Sequence, residues 1–196
     1  ETFTTIYAVT PSPHDARTIW VGTDDGRLHI TRDDGKRWVD ITPLALPPLS
    51  TVNRIEVSPH APGRAFVAAY RYKLDDFTPY IYKTEDYGKS WTRIDNGIDR
   101  MHFTRSIRAD RTRKGLLYAG TEYGLYISFN DGKNWQPFQC NLPVSPITDL
   151  ALKNNDLIVG TQGRSIYVLD DLSVVQQFAD SIYRKSWYVF SPAPTV

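Results

Sequence analysis

The chain has 196 residues, with 23 basic and 22 acidic side chains and a net charge of +1. That balance gives no footing for nucleic-acid or membrane-surface binding, and no apolar run is long enough to span a bilayer. An apolar share of 41% with 13% aromatics, including five Trp and twelve Tyr, excludes a disordered chain and points to a packed, aromatic-rich β protein.

Taken in order, the chain falls into four repeats of four strand-like runs. The first repeat has them near Ile6–Thr10, Thr18–Gly22, Arg27–Thr31 and Trp38–Ile41. The second has them near Val52–Ser58, Ala65–Tyr70, Tyr80–Thr84 and Trp91–Ile94, and the third near Thr104–Ala109, Leu116–Gly120, Leu125–Ser128 and Trp135–Phe138. The fourth has them near Ile147–Lys153, Leu157–Thr161, Ser165–Leu169 and Val174–Phe178. A short helix over Ser173–Phe178 is the one alternative, and Trp187–Phe190 is expected to begin a further element. Pro-rich crossings at Thr42–Leu49 and Asn141–Pro146 separate repeats, since proline cannot donate to a ladder.

The stretch Tyr118–Trp135 states the pattern most clearly: strand, Glu122-Tyr123-Gly124 turn, strand, Asn130-Asp131-Gly132 turn, strand. Gly supplies the positive φ of each turn, and Asn or Asp beside it tolerates the same region. The Trp residues closing this pattern, 38, 91 and 135, are 53 and 44 residues apart. Four-stranded antiparallel units at this period predict an all-β fold of propeller blades. The expected blades are 1–45, 46–98, 99–142 and 143–180, with 181–196 a further element or tail. Four blades belong in a larger ring of seven to ten, so further blades are expected from the same or another chain. The chain, which starts at Glu1, is expected to be a segment of something longer.

The turn between third and fourth strands has the form Ser/Thr-x-Asp-x-Gly-x-x-Trp. It is carried by Asp33, Gly35 and Trp38, by Asp86, Gly88 and Trp91, and, with Asn for Asp, by Asn130, Gly132 and Trp135. At Asp170-Asp171 it is degenerate. The carboxylates are expected to accept backbone N–H groups inside the turn, and the three Trp to pack between blades. A motif recurring in every blade reads as structural, since a catalytic pair would not recur. It resembles the Asp-box, or BNR, repeat of sialidases, sortilin-type receptors and xyloglucanase-like glycoside hydrolases. Over most of Ile6 to Gln177 the chain is similar to the end of the propeller region in large bacterial secreted proteins. Those are described as BNR-repeat glycosyl hydrolases, sortilin-N-domain or photosystem-assembly-factor-like proteins. The resemblance implies fold more firmly than activity, and a secreted, periplasmic or cell-surface location.

The second-to-third-strand turns lie on the opposite face, with the blade crossings. Function is expected there, because long loops on a rigid scaffold gather binding residues. The candidate ligand-binding residues are Arg71, Tyr72, Lys73, Glu122, Tyr123, Gln162 and Arg164. A glycoside hydrolase needs two carboxylates across a sugar, and the candidates are Asp24, Asp25, Asp75, Asp76 and Glu122. Arg54, Arg105 and Tyr123 could be drawn as part of a sialidase-like site, but a third arginine is not evident. No metal or cofactor site is expected: His14 and His60, in echoing Ser-Pro-His turns, read as surface residues without partner ligands. Arg111, Arg113 and Lys114 read as a solvated loop. Cys140, alone, excludes an intrachain disulfide and is expected to be buried. The expected role is a binding or scaffold module for a polysaccharide or protein ligand, with a glycoside hydrolase as the alternative.

Overall fold

The computed structural model describes residues 4–178, 182 and 185–191. Four antiparallel sheets follow one another along the chain. The first holds β1 (Ile6–Pro11), β2 (Ile19–Thr23), β3 (Leu28–Thr31) and β4 (Val39–Asp40). The second holds β5 (Thr51–Val57), β6 (Ala65–Arg71), β7 (Asp76–Thr84) and β8 (Thr92–Arg93). The third holds β9 (Thr104–Ala109), β10 (Leu117–Thr121), β11 (Leu125–Ser128) and β12 (Gln136–Pro137). The fourth holds only β13 (Ile147–Lys153), β14 (Asp156–Thr161) and β15 (Ile166–Leu169). The first strands touch in turn, β1 on β5, β5 on β9 and β9 on β13, so they line a common axis with the sheets radiating outward. These are propeller blades, and three cores lie between or within neighbouring sheets.

Sequence dictates how one blade grips the last. In the third turns, Asp33 and Asp86 and then Asn130 each accept the backbone N–H of the residue four ahead, all at 2.9 Å. Thr31, Thr84 and Ser128 accept the N–H of Gly35, Gly88 and Gly132, also at 2.9 Å. Hydrogen bonds from Arg37 hold Asp33 down at about 2. The turn runs through two left-handed residues in succession, Asp34-Gly35, Tyr87-Gly88 and Asp131-Gly132. Glycine is needed twice over at Gly88 and Gly132. A Cβ there would lie 2.7 Å from Ile41 and 2.5 Å from Ile94, the residues that close the outer strand of the preceding blade. The Trp completes the lock: Trp91 Nε1 donates to Ile41 O (2.7 Å) and Trp135 Nε1 to Ile94 O (2.5 Å).

Further ties run along the third-turn face. Asp131 of the third blade is clasped by Arg64 and by Lys83 (2.6 Å) of the second. His14 and His60 are more than surface residues, since each lies against a carbonyl of the next blade, Ser58 O (2.9 Å) and Asp110 O (2.8 Å). A carbonyl partner makes Nε2–H the donor in both.

Five expectations are corrected. Trp38 is 46% exposed and packs on no blade, because no sheet precedes it among the described residues. The fourth strand of the last blade is replaced by a short helix, α1 (Ser173–Gln177), which is the alternative given for Ser173–Phe178. Asp170-Asp171 lacks the Gly and Trp that turn the chain back. Asp171 instead accepts Ser173 N (3.0 Å) and Oγ (2.8 Å), starting the helix. Arg113 does not belong to a solvated loop, because it donates to the carbonyls of Val175, Gln176 and Phe178 at the helix end. Cys140 is exposed rather than buried, at a left-handed φ of 45° in the crossing to the last blade. No regular element forms over 187–190, and half of 181–196 lies outside the described residues.

The lock yields a contrast that denaturant unfolding of dilute protein checks. Trp135→Ala is expected to cost about 3–5 kcal/mol, as for a buried aromatic truncation, and Trp38→Ala less than about 1 kcal/mol. Equal losses would contradict the lock.

Candidate functional site

Each inner strand carries one unpaired residue at the same step of its ladder: Tyr7, Asn53, Arg105 and Thr148. The step lies beside the second turns, since the paired strands there end at Thr23, Thr121 and Thr161. A bulge bends its strand and re-aims a side chain, so the four mark one level at one end of the axis lined by the inner strands, its mouth. Asn53 donates to Arg105 O, and Tyr70 Oη lies 3.5 Å from Tyr7 Oη. The second turns reach the same level. Asp24, Glu122 and Gln162 are equivalents, each donating its N–H to the residue before an inner strand: Thr5, Phe103 and Pro146.

Over this mouth the second blade raises its long loop. Tyr72–Leu74 forms one 3-10 turn, closed by Asp75 in a left-handed conformation (φ 57°) that donates to Tyr72 O at 3.0 Å. Arg71 anchors the loop, with Nε to Pro48 O (3.0 Å) and an ion pair to Asp76 (3.4 Å). The turn lays Tyr72 flat on Phe103, 4.8 Å apart and 20° from parallel, with Tyr70 at 5.0 Å. Phe103 is buried and backs the shelf. Arg105 covers the same pair, 5.0 Å above Phe103 and 5.7 Å from Tyr72, while its Nε donates to Glu122 at 2.6 Å. Beside it His102 stacks on exposed Tyr123 at 4.6 Å and is held by Tyr126 Oη at 2.9 Å.

The structure thus brings Tyr72, Glu122 and Tyr123 together through Phe103, Arg105 and His102. Of these last three, only Arg105 stood out in the sequence. Phe103 and His102 are legible only afterwards, as the residues just before an inner strand. Lys73 is an exposed neighbour of Tyr72, whereas Arg71 is spent on its own loop. Gln162 and Arg164 are exposed on the last blade, away from this cluster's contacts.

The candidate carboxylates are mostly committed elsewhere. Asp24 accepts the N–H groups of Thr4 (3.0 Å) and Thr5 (2.9 Å), and Asp25 accepts Thr23 Oγ1. Asp76 accepts Tyr80 Oη (2.7 Å) and Thr78 N (3.1 Å). Burial pushes its pKa up, but these bonds outweigh it and hold the group below its ordinary value. Asp75 is exposed on the loop tip. A carboxylate held low cannot serve as a general acid near neutral pH.

The carboxyl raised toward neutrality lies deeper. Glu56 on β5 faces β9, accepting Ala109 N (3.2 Å) and Arg108 Nη1 (3.3 Å). Asp149 of β13 pairs with both Arg54 and Arg108 at 3.2 Å, so the network ties three inner strands. Burial raises Glu56 to about 7, against the pull of the Ala109 N–H and of the Arg54 and Arg111 charges.

No protein-family model matches the chain. A probable oligoxyloglucan-reducing end-specific xyloglucanase of Neosartorya fischeri is 30% identical over 112 residues, 54% of this chain and 13% of that protein. Among solved structures, the GH74 xyloglucanase of Xanthomonas campestris superposes with a TM-score of 0.66 at 16% identity, over 89% of this chain and 29% of that one. YCF48 bound to D1 peptide superposes with a TM-score of 0.60 at 21% identity, over 79% of this chain and 46% of that one. At such identities the likeness is one of fold, which is that of a β-propeller. The chain spans less than half the length of each of these proteins.

Glu56 carries a pH test. Its folded pKa lies above the ordinary 4.5, so the folded state holds the proton more tightly than the unfolded chain. The resulting stability is full below about pH 4.5 and is lost as pH rises toward 7, by up to about 3 kcal/mol. Asp33, Asp76 and Asp86, held low, act with opposite sign at more acid pH. Urea unfolding of wild type should show stability falling between pH 4.5 and 7, and Glu56→Gln should flatten that slope. An unchanged slope in the variant would contradict the assignment.

Proposed function

We propose that the chain is a polysaccharide-binding module whose platform is the channel mouth. The observation that carries this reading is the aromatic shelf of Tyr72 on Phe103, crossed by the Arg105–Glu122 ion pair. A sugar ring offers C–H groups on its face and hydroxyls around its rim. A flat aromatic takes the first by dispersion and desolvation, and a fixed guanidinium–carboxylate pair takes the second by charge-assisted hydrogen bonds. The shelf already pairs its own charges, so no unpaired ion is buried when a neutral ligand lands. Tyr123 and Lys73 extend the surface to either side, which suits an extended chain better than a compact metabolite. The chain's third turns resemble the Asp-box pattern in sequence, and the xyloglucanase relative makes xyloglucan the first ligand to try. A polysaccharide ligand carries with it an extracellular, periplasmic or cell-surface location.

A hydrolase is the second reading, favoured by that same relative. It needs a paired acid and base about 5–10 Å apart. Asp24, Asp25, Asp76 and Glu122 already satisfy local donors, so the burden falls on Asp75 with a second group not contained in this cluster.

Isothermal titration with xyloglucan oligosaccharides tests both. Tyr72→Ala and Arg105→Ala are each expected to weaken binding about tenfold or more, about 1.4 kcal/mol. Lys153→Ala, on the exposed last blade, should leave affinity unchanged. No new reducing ends should appear on prolonged incubation. Binding indifferent to Tyr72 would contradict the platform, and reducing-end release lost in Asp75→Asn would favour the hydrolase.

A further inference from the structure

His14 and His60 spend Nε2 on the fold, each against a carbonyl of the next blade. His102 is held by its other nitrogen. Its Nδ1 lies 2.9 Å from Tyr126 Oη, while its Nε2 has no hydrogen-bond partner among the described residues and is not shut away from solvent. The ring is clamped. Tyr123 stacks on it at 4.6 Å, 29° from parallel, and Tyr126 meets it edge-on at 6.0 Å. The backbone around it is fixed as well. His102 N donates to Asp99 O (3.0 Å) and Met101 N to the Asp99 carboxylate (2.8 Å). Glu122 N ties the turn that bears Tyr123 to Phe103 O (3.1 Å). All these residues belong to the third blade and its approach, with the second and fourth blades on either side.

The phenol decides which ring nitrogen carries the hydrogen. Tyr126 is buried, so its O–H needs an acceptor. Burial raises its pKa, against a hydrogen bond from the Asp99 backbone, and the phenol keeps its proton. The Asp99 N–H takes one side of the oxygen, and His102 Nδ1 is the acceptor that the O–H meets. With the hydrogen on Nδ1 instead, the phenol would accept twice and leave its own O–H buried and unpaired. That costs about 1–3 kcal/mol, more than one hydrogen bond returns. Nδ1 is therefore the acceptor, and Nε2 carries the hydrogen. The chain of bonds runs from Asp99 N–H to Tyr126 Oη and from Tyr126 O–H to Nδ1, and ends in an Nε2–H open to solvent.

We propose that His102 is a further ligand-binding residue of the platform, giving its Nε2–H to an acceptor oxygen of the bound sugar, with Tyr126 as its positioning residue. The proposal rests on the polysaccharide reading and adds a polarity to it. His102 precedes Phe103 in the chain, so the donor stands beside the Tyr72–Phe103 stack. Its partner ring, Tyr123, is 48% exposed, which makes a second aromatic pair at the same surface. Arg105 spends its Nε on Glu122, and His102 supplies the neutral donor of the cluster. A sugar lying on the shelf offers hydroxyl, ring and bridging oxygens along its rim, and each can take an N–H. A group that can only donate, such as an ammonium, has no lone pair for this site. Because the ring is already held by stacking and by the phenol, aiming the donor costs little further side-chain entropy on binding.

Isothermal titration of the whole chain with xyloglucan oligosaccharides, joined to nitrogen NMR of its imidazoles, tests this. In free wild type His102 is expected as a single Nε2–H tautomer, and its Nε2–H signal should move on binding. His102→Phe keeps a ring on Tyr123 and removes the donor, so affinity should fall about three- to tenfold. His102→Gln returns an N–H near the place of Nε2 and should bind more tightly than His102→Phe. Tyr126→Phe should release the imidazole to both tautomers and weaken binding less than His102→Phe does. Near-UV circular dichroism checks that the variants fold. His102→Phe binding as wild type does, an Nδ1–H tautomer in free wild type, or an unchanged tautomer in Tyr126→Phe each overturns the proposal and leaves the polysaccharide reading standing. A wild type that does not bind overturns that reading, and this contact falls with it.

Discussion

Everything in this structure depends on how a blade holds its neighbour. A single four-stranded sheet buries neither face by itself. The third turn solves this locally: a carboxylate or amide ties the turn, two left-handed residues sharpen it, and a glycine lets it settle on an aliphatic side chain of the blade before. The tryptophan then reaches past that residue and satisfies its carbonyl. The hydrogen bond alone is modest, about 1 kcal/mol net, and the indole's burial supplies the larger part. The contact recurs between the first and second blades and between the second and third, Arg113 and α1 tie the fourth, whose third turn lacks it, and the inner strands share a common axis and register. That registry sets the four bulges at one level, and so the mouth owes its geometry to packing on the far side of each sheet.

At the mouth the constraint relaxes. Turn residues there need only clear the next blade, and the second blade uses this freedom for its long loop. Tyr72 is presented by its own 3-10 turn and beside Tyr70, and is oriented by stacking on the buried ring of Phe103 from the third blade. Arg105 belongs to a bulge, faces two rings and meets a carboxylate from the adjoining turn. Three elements from two blades therefore converge on one shelf. The wall beneath follows a different logic: Arg54, Arg108 and Asp149 are ion-paired and hold inner strands together, while Glu56, raised toward neutrality by burial, accepts the Ala109 N–H and an Arg108 hydrogen bond.

Much of this was legible in the sequence because the pattern is local and repeated. The Gly and Trp of the third turns and the Pro-rich crossings each reflect a short-range requirement. The fourth strand of the last blade was misread because Val174 and Val175 have strand-like side chains, while the decision lay with Asp171 and Arg113. Trp38 was misread because its environment depends on a neighbour that the repeat pattern assumes. The site was half visible. Tyr72, Glu122 and Tyr123 sit on turns whose face follows from strand order, but Phe103 and His102 look like ordinary residues of a crossing. Only the stacking across blades gives them a role, and no spacing rule encodes it. The histidines at 14 and 60 were seen as turn residues, and their contacts to the next blade, some forty to fifty residues away, were beyond reach for the same reason.

The claim that the mouth is the binding surface is tested most directly by hydrogen exchange of the chain with and without xyloglucan oligosaccharides. The account predicts added protection over the loop at 70–78, the approach to β9 at 101–106 and the turn at 121–125, with the third turns unchanged. Protection confined to the third-turn face, or to the end faces of the stack, would contradict it.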